Sequence, residues 1–235
     1  MEKRGIGHVE VILAFVLFLT FIFAGFYFFN PLKEDRLLGS SLDYARQKIV
    51  ENISVKQITY GLIINNTEGQ ISSNIVAINI GTVNLLYKEY VGNLSGDRIE
   101  SNRVNDMVYI KKSTWSEKEI LYIRFSEDIS ELASSVTALE NSKFYTIASV
   151  KEEEVISEKR AMELESDYYD NYDNLKSRFN IPKRVEFGFI LKFDNNEMIF
   201  ADNSSINNEV FANSKRVKTL ADGTNKFAYL IVKTW

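Results

Sequence analysis

From Val11 to Leu32 the chain reads VILAFVLFLTFIFAGFYFFNPL, without one charged side chain. A helix rises 1.5 Å per residue, so about twenty apolar residues cross the roughly 30 Å hydrocarbon core of a bilayer, and this run predicts a transmembrane helix. Everything after it must supply its own core. With 235 residues, 45% hydrophobic and 13% aromatic, the chain can place one helix in lipid and still build one domain, or two small ones, outside it. There is no cysteine, which excludes disulfides, thiolate metal sites and thiol nucleophiles. Net charge is −4, and basic residues gather only in short pairs such as Lys111-Lys112 and Lys215-Arg216. That pattern gives no electrostatic footprint for nucleic acid, which is excluded as a partner.

Lys3 and Arg4 precede the apolar run against Glu2 alone, whereas Lys33 and Arg36 behind it are interleaved with Glu34 and Asp35. The basic end nearest the amino terminus usually dominates, so the expected orientation is single-pass, with the N-terminus inside and the residues beyond 33 outside. A cleaved secretory signal has a shorter apolar region, about 7 to 15 residues, and ends at a small-x-small site. Here the run ends FAGFYFFNPL, with aromatics in those places. A plain signal anchor holding a cell-surface binding domain stands as the alternative expectation.

Lys3, Arg4, Gly5 and Glu10, followed at once by the apolar helix, resemble the class III signal of type IV pilin-like proteins, the archaeal-type pilins and pseudopilins among them. In that family a prepilin peptidase cuts after the glycine of a short basic leader, and the apolar helix stays on the mature chain. The resemblance implies that Lys3 and Arg4 are the recognition charges, Gly5 the last leader residue, Ile6 the new N-terminus and Glu10 the fifth mature residue, where the family carries its glutamate. Ile6 and Glu10 are four apart, so on a helix they share a face one turn apart. A carboxylate there also meets the positive end of the helix macrodipole. In lipid such an acid needs a partner. In a filament the family's usual partner is the N-terminal ammonium of a neighbouring subunit. The implied partners are the bilayer, the peptidase and other pilin-like subunits. The implied role is structural, in a surface filament or related machinery, and the chain's size favours a minor pilin or pseudopilin.

The expected organisation is α+β: a leader at 1–5, a transmembrane and assembly helix at 6–30, an amphipathic extension at 31–52 and a β-rich head at 53–235. Asn30-Pro31 has the chemistry of a helix restart, asparagine as N-cap and proline at the first helical position. Leu38, Leu42, Ala45 and Ile49 then recur at helical spacing. Beyond them, residues 55–64, 74–80, 84–91, 107–111, 119–126, 143–150 and 185–193 are short, β-branched and aromatic, with Asn, Gly and Ser between them, and read as strands in meanders or a sandwich. Asp194-Asn195-Asn196 reads as a turn, and Asp222-Gly223 as the turn of a hairpin between 215–220 and 227–234. One stretch breaks the pattern: residues 157–179 open on a capping serine and predict a helix ending before Ile181-Pro182.

Chemistry is scarce. The single histidine is His8, at the membrane boundary, so the head holds neither a Ser-His-Asp triad nor a histidine-ligated zinc. The glycines are scattered and form no phosphate loop. Glu163, Asp167 and Asp170 share a helical face, with Asp173 nearby. Their spacing is not that of an EF-hand, so a solvated face is expected and no metal. Glu152–Glu154 likewise reads as a solvated acidic run. Tyr168, Tyr169 and Tyr172 are read as packing, with a contact patch as the other use. Asn52, Asn65, Asn93 and Asn203 begin N-x-Ser/Thr sequons that permit glycosylation. No enzyme and no cofactor is expected.

Overall fold

The computed structural model describes residues 4–28, 32–69, 71, 74–131, 134, 136, 144–203 and 210–235. Helix α1 is Arg4–Phe28, and no residue of its apolar span Val9–Phe26 is buried against the rest of the chain. Helix α2 is Leu32–Ile53. Asn30-Pro31, the proposed restart, lies outside the described residues. On α2 the stripe Leu42, Ala45, Ile49 and Ile53 is buried, which is the three-and-four spacing of a helix face turned to a core.

The head is α+β. Its strands are β1 (Ser54–Asn65), β2 (Ile75–Asn79), β3 (Lys88–Asn93), β4 (Glu100–Val104), β5 (Met107–Lys111), β6 (Lys118–Ser126) and β7 (Tyr145–Ser157). After helices α3 (Glu158–Asp170) and α4 (Tyr172–Arg178) come β8 (Phe187–Phe193), β9 (Met198–Ala201), β10 (Phe211–Ala221) and β11 (Thr224–Thr234). Eight strands form one sheet in the order β3-β6-β1-β7-β10-β11-β8-β9, and three form a second, β2-β5-β4. All pairings are antiparallel except β7 with β10, which meet in parallel at only Thr219↔Ile156 and Leu220↔Ser157.

Register fixes the faces, because opposed residues of paired strands point the same way. Tyr60 and Leu62 of β1 lie opposite Ile123 and Leu121 of β6, and all four join Val76, Ile78, Val108 and Ile110 of the small sheet in one core. Ser54, an even number of residues from Tyr60, lies opposite Ile156, and Ile156 belongs to the core beneath the helices. The small sheet therefore covers one half of a single face of the large sheet, and α2, α3 and α4 cover the other half. In the helical half, Leu164, Tyr168 and Leu175 pack with the α2 stripe on Phe187, Phe189, Leu230 and Val232.

Several expectations are corrected in detail. Residues 84–87 are a turn, not strand: the Asn84 side chain accepts from the Leu86 N–H at 3.0 Å, and its carbonyl accepts from the Tyr87 N–H at 3.1 Å, the local bonding by which asparagine competes with a ladder. Strand β7 runs on through the acidic run to Ser157, and Glu153 is not solvated: its carboxylate accepts from Lys151 at 2.6 Å and from Lys218. The expected 157–179 helix is two helices. Ser157 does cap the first, accepting from the Arg160 N–H at 3.2 Å, but Asn171, with φ −141°, interrupts the helix. Strands β4 and β9 were absent from the sequence reading. The 222–223 hairpin is longer than expected, Ala221↔Thr224 to Phe211↔Thr234, on a turn with φ +43° and +86°. Both values suit the type I′ turn that Asp-Gly favours, and a Cβ at Gly223 would fall 2.2 Å from the Tyr90 ring.

Candidate functional site

Helix α1 carries the candidate processing and assembly residues in its first two turns. Arg4, Gly5 and Ile6 open the helix, Glu10 follows one turn after Ile6 and is exposed, and Lys3 lies outside the described residues. Beyond Glu10 stand exposed large apolar side chains on every side of the helix, Val11, Phe15, Phe18 and Phe21 among them. A helix apolar all round needs an apolar surrounding, lipid or other helices, to bury it.

The head brings together no catalytic constellation among the described residues. A polar cluster joins α4 to the start of β8. The Tyr172 hydroxyl donates to a Glu186 carboxylate oxygen at 2.6 Å and accepts from the Phe187 N–H at 3.1 Å. Lys176 reaches the other Glu186 oxygen at 2.6 Å and the Lys183 carbonyl at 2.7 Å. Burial, then the Glu186 carboxylate, pushes the Tyr172 phenol far above its ordinary range. Burial does the same to Tyr168, whose hydroxyl donates to the Phe187 carbonyl at 2.8 Å. These bonds clasp α4 to the start of β8. Tyr168 packs in the core, and only Tyr169 of the three is exposed.

The acidic stretch 163–173 is not gathered round a point. Asp167 is taken by Arg178 at 2.6 Å and Asp170 by the Ser166 hydroxyl at 3.1 Å. Among the described residues, no group of three or more His, Cys, Asp or Glu is placed to hold a metal ion.

A cavity of about 360 Å³ opens where α2 passes into β1, lined by Val50, Glu51, Ser54, Tyr87, Glu127 and Arg160 among others. Arg160 closes its floor, donating to the Ser54 carbonyl and to Glu127, both at 2.9 Å, and meeting Asp128 at 2.7 Å. Those bonds consume the guanidinium in joining three segments of chain. Arg103 acts alike on β4, donating to the carbonyls of Val83, Asn84, Tyr87 and Asn105 at 2.7 to 3.2 Å and lying over the Phe125 ring at 5.2 Å. Neither arginine is legible as structural in the sequence, because most of the groups each one binds are remote along the chain.

Compared with protein-family models, curated proteins and solved structures, the chain matches none.

Proposed function

We propose that this is a membrane-inserted type IV pilin-like protein, a minor pilin or pseudopilin with a structural rather than enzymatic role. In this reading prepilin peptidase cuts after Gly5 on the inner face, and Ile6 becomes the N-terminus. The chain waits in the bilayer with its head outside and joins other pilin-like subunits through α1. One observation carries the proposal: the apolar span Val9–Phe26, none of it buried by its own chain, is separated from Lys3-Arg4-Gly5 by Ile6-Gly7-His8 alone and holds Glu10 at the family's offset. Glu10 then has two successive tasks. In the uncleaved chain it lies beyond the first turn of α1; once Ile6 is the N-terminus it is the fifth residue, closer to the positive end of the helix, and on assembly it meets the ammonium of a neighbouring Ile6.

The N-terminal sequence or intact mass of protein extracted from native membranes tests this. Loss of MEKRG with Ile6 exposed is expected. A chain still beginning at Met1 in cells with active prepilin peptidase overturns the proposal and favours a signal-anchored surface domain that never assembles. Glu10→Ala is expected to insert normally and to fail to enter any filament. Normal incorporation removes the role given to Glu10.

A further inference from the structure

On the face of the large sheet turned away from the helices, the chain buries the cluster Val55, Tyr90, Ile129, Val155 and Leu220 but leaves the part made by β8, β9, β10 and β11 open. Strands β8 and β11 read FGFILKF and KFAYLIV, apolar on both faces, as in a strand buried on both sides. Only one side is covered. In register across four strands stand Met198, Lys192, Tyr229 and Arg216, with Phe200 and Phe227 in the adjoining rows. Exposure is 57% for Met198, 42% for Phe200, 49% for Phe227 and 45% for Tyr229. At about 4.8 Å per strand this surface is about 14 Å wide, and large apolar groups clustered on such a face mark an interaction site. Two of its lysines are matched by carboxylates, Lys233 by Asp202 and Lys218 by Glu153, which leaves the charge carried by Lys192 and Arg216 in excess. The Arg216 guanidinium lies over the Phe227 ring at 4.4 Å, and among the described residues neither Lys192 nor Arg216 is in a salt bridge.

The complementary surface lies on the same molecule, on the opposite side of the head. The outward ridge of α3 and α4 exposes Met162, Glu163, Tyr169, Asp170 and Asp173, with Lys159 at its start; the Tyr169 hydroxyl itself donates to the Phe200 carbonyl at the β9 edge at 2.9 Å. None of those carboxylates is in a salt bridge among the described residues. Glu163 to Asp170 spans about 10 Å along the helix, which the basic-aromatic face can accommodate.

We infer that the aromatic and cationic face of β8, β9, β10 and β11 in one copy receives the acidic α3–α4 ridge of a second copy. The two surfaces back onto each other within one head, so the contact is head-to-tail. A contact of that kind propagates unless its rotation closes a ring. This rests on the assembly reading above and adds to it a second contact, between heads, that fixes the order of copies.

The absence of cysteine makes the test clean. Full-length Ser166→Cys, on the ridge, and Ser214→Cys, on the open face, are co-expressed with different tags and oxidised in native membranes. Mixed cross-links are expected, at least tenfold above those between two ridge copies or two face copies. Lys192→Glu with Arg216→Glu is expected to abolish them, as is Asp170→Lys with Asp173→Lys. Mixing the two reversed chains pairs each reversed surface with a complementary one and is expected to restore the cross-link. Equal yields from like and unlike pairs overturn the inference. A control pair of Leu13→Cys copies reports association through α1: cross-links there without any between the heads overturn only the head contact, and cross-links at neither place overturn the assembly reading with it.

Discussion

The two halves of the large sheet bury the same face with different materials. Under the helices the core is built on rings: Tyr168 meets Phe187 edge-on at 5.7 Å between centroids, and Tyr172 stacks on it at 5.5 Å. Under the small sheet the core is mainly branched aliphatics, Ile64, Ile78, Ile110, Leu121 and Ile123, with Tyr60 and Phe125 meeting edge-on at 5.8 Å. Cylinders laid on a twisted sheet leave uneven gaps that wide rings fill, whereas two pleated sheets about 10 Å apart let branched side chains interdigitate. The halves touch within the sheet at only two residue pairs, Thr219↔Ile156 and Leu220↔Ser157. On the other face the buried cluster of Val55, Tyr90, Val155 and Leu220 and the bond from Arg124 to the Gly223 carbonyl also cross this seam, so whether the halves open separately is a matter for hydrogen exchange.

The largest effects expected are those that break one half alone. Phe187→Ala removes a fully buried ring and is expected to cost about 3 to 5 kcal/mol. Hydrogen exchange should then accelerate in β8, β10 and β11 while β1 and β6 keep their protection, since regions with few shared contacts open independently. Ile110→Ala is the mirror experiment, expected to cost about 2 to 5 kcal/mol and to expose the amides of β2 and β5 first. Uniform loss of protection in either variant would show one cooperative unit and dissolve the distinction between halves.

A smaller effect lies on the seam. Ser157 caps α3 through its hydroxyl, and its backbone pairs with Leu220 across the parallel joint. Ser157→Ala keeps the pairing and loses the cap, with an expected loss of about 1 kcal/mol in urea unfolding. Ser157→Asp, able to accept the same bond, should recover part of it. Loss of stability confined to the helical half would assign the seam to the helices rather than to the sheet.

What was legible in the sequence follows from what is local. Strand β1 shows itself because it gathers β-branched and aromatic residues over residues 55–64, and Asp222-Gly223 because few residue pairs tolerate two positive φ angles. Strand β4, ESNRV, has no apolar alternation, because no residue along it is fully buried. Strand β9 is four residues long, too short to show a period. The β7–β10 contact joins segments more than fifty residues apart, and no local signal encodes it. The candidate site divides in the same way. Glu10 and the apolar span are legible by composition and spacing, whereas the open face of β8–β11 is an apolar pattern whose exposure appears only once the layers are placed.

Across the seam Lys218 of β10 pairs with Glu153 of β7, just where the two strands begin to part. Burial alone would raise the Glu153 pKa, but the hydrogen bonds from Lys151 and Lys218 outweigh it, and the carboxyl is held below its ordinary 4.5. A lowered pKa in the folded state means that Glu153 adds stability above pH 4.5, and that this contribution fades as pH falls through the folded value. Lys218→Met keeps much of the packing of the lysine stem and removes the charge. It is expected to lower stability at pH 7 by roughly 1 kcal/mol or less and to have little effect where Glu153 is protonated. Unfolding measured at pH 7 and at pH 3 checks the sign, because a difference that persists undiminished in acid would come from lost packing and not from the pair. If the pair pins the seam, the amides of β10 nearest Thr219 should also exchange faster in Lys218→Met at pH 7, ahead of any change deep in either half.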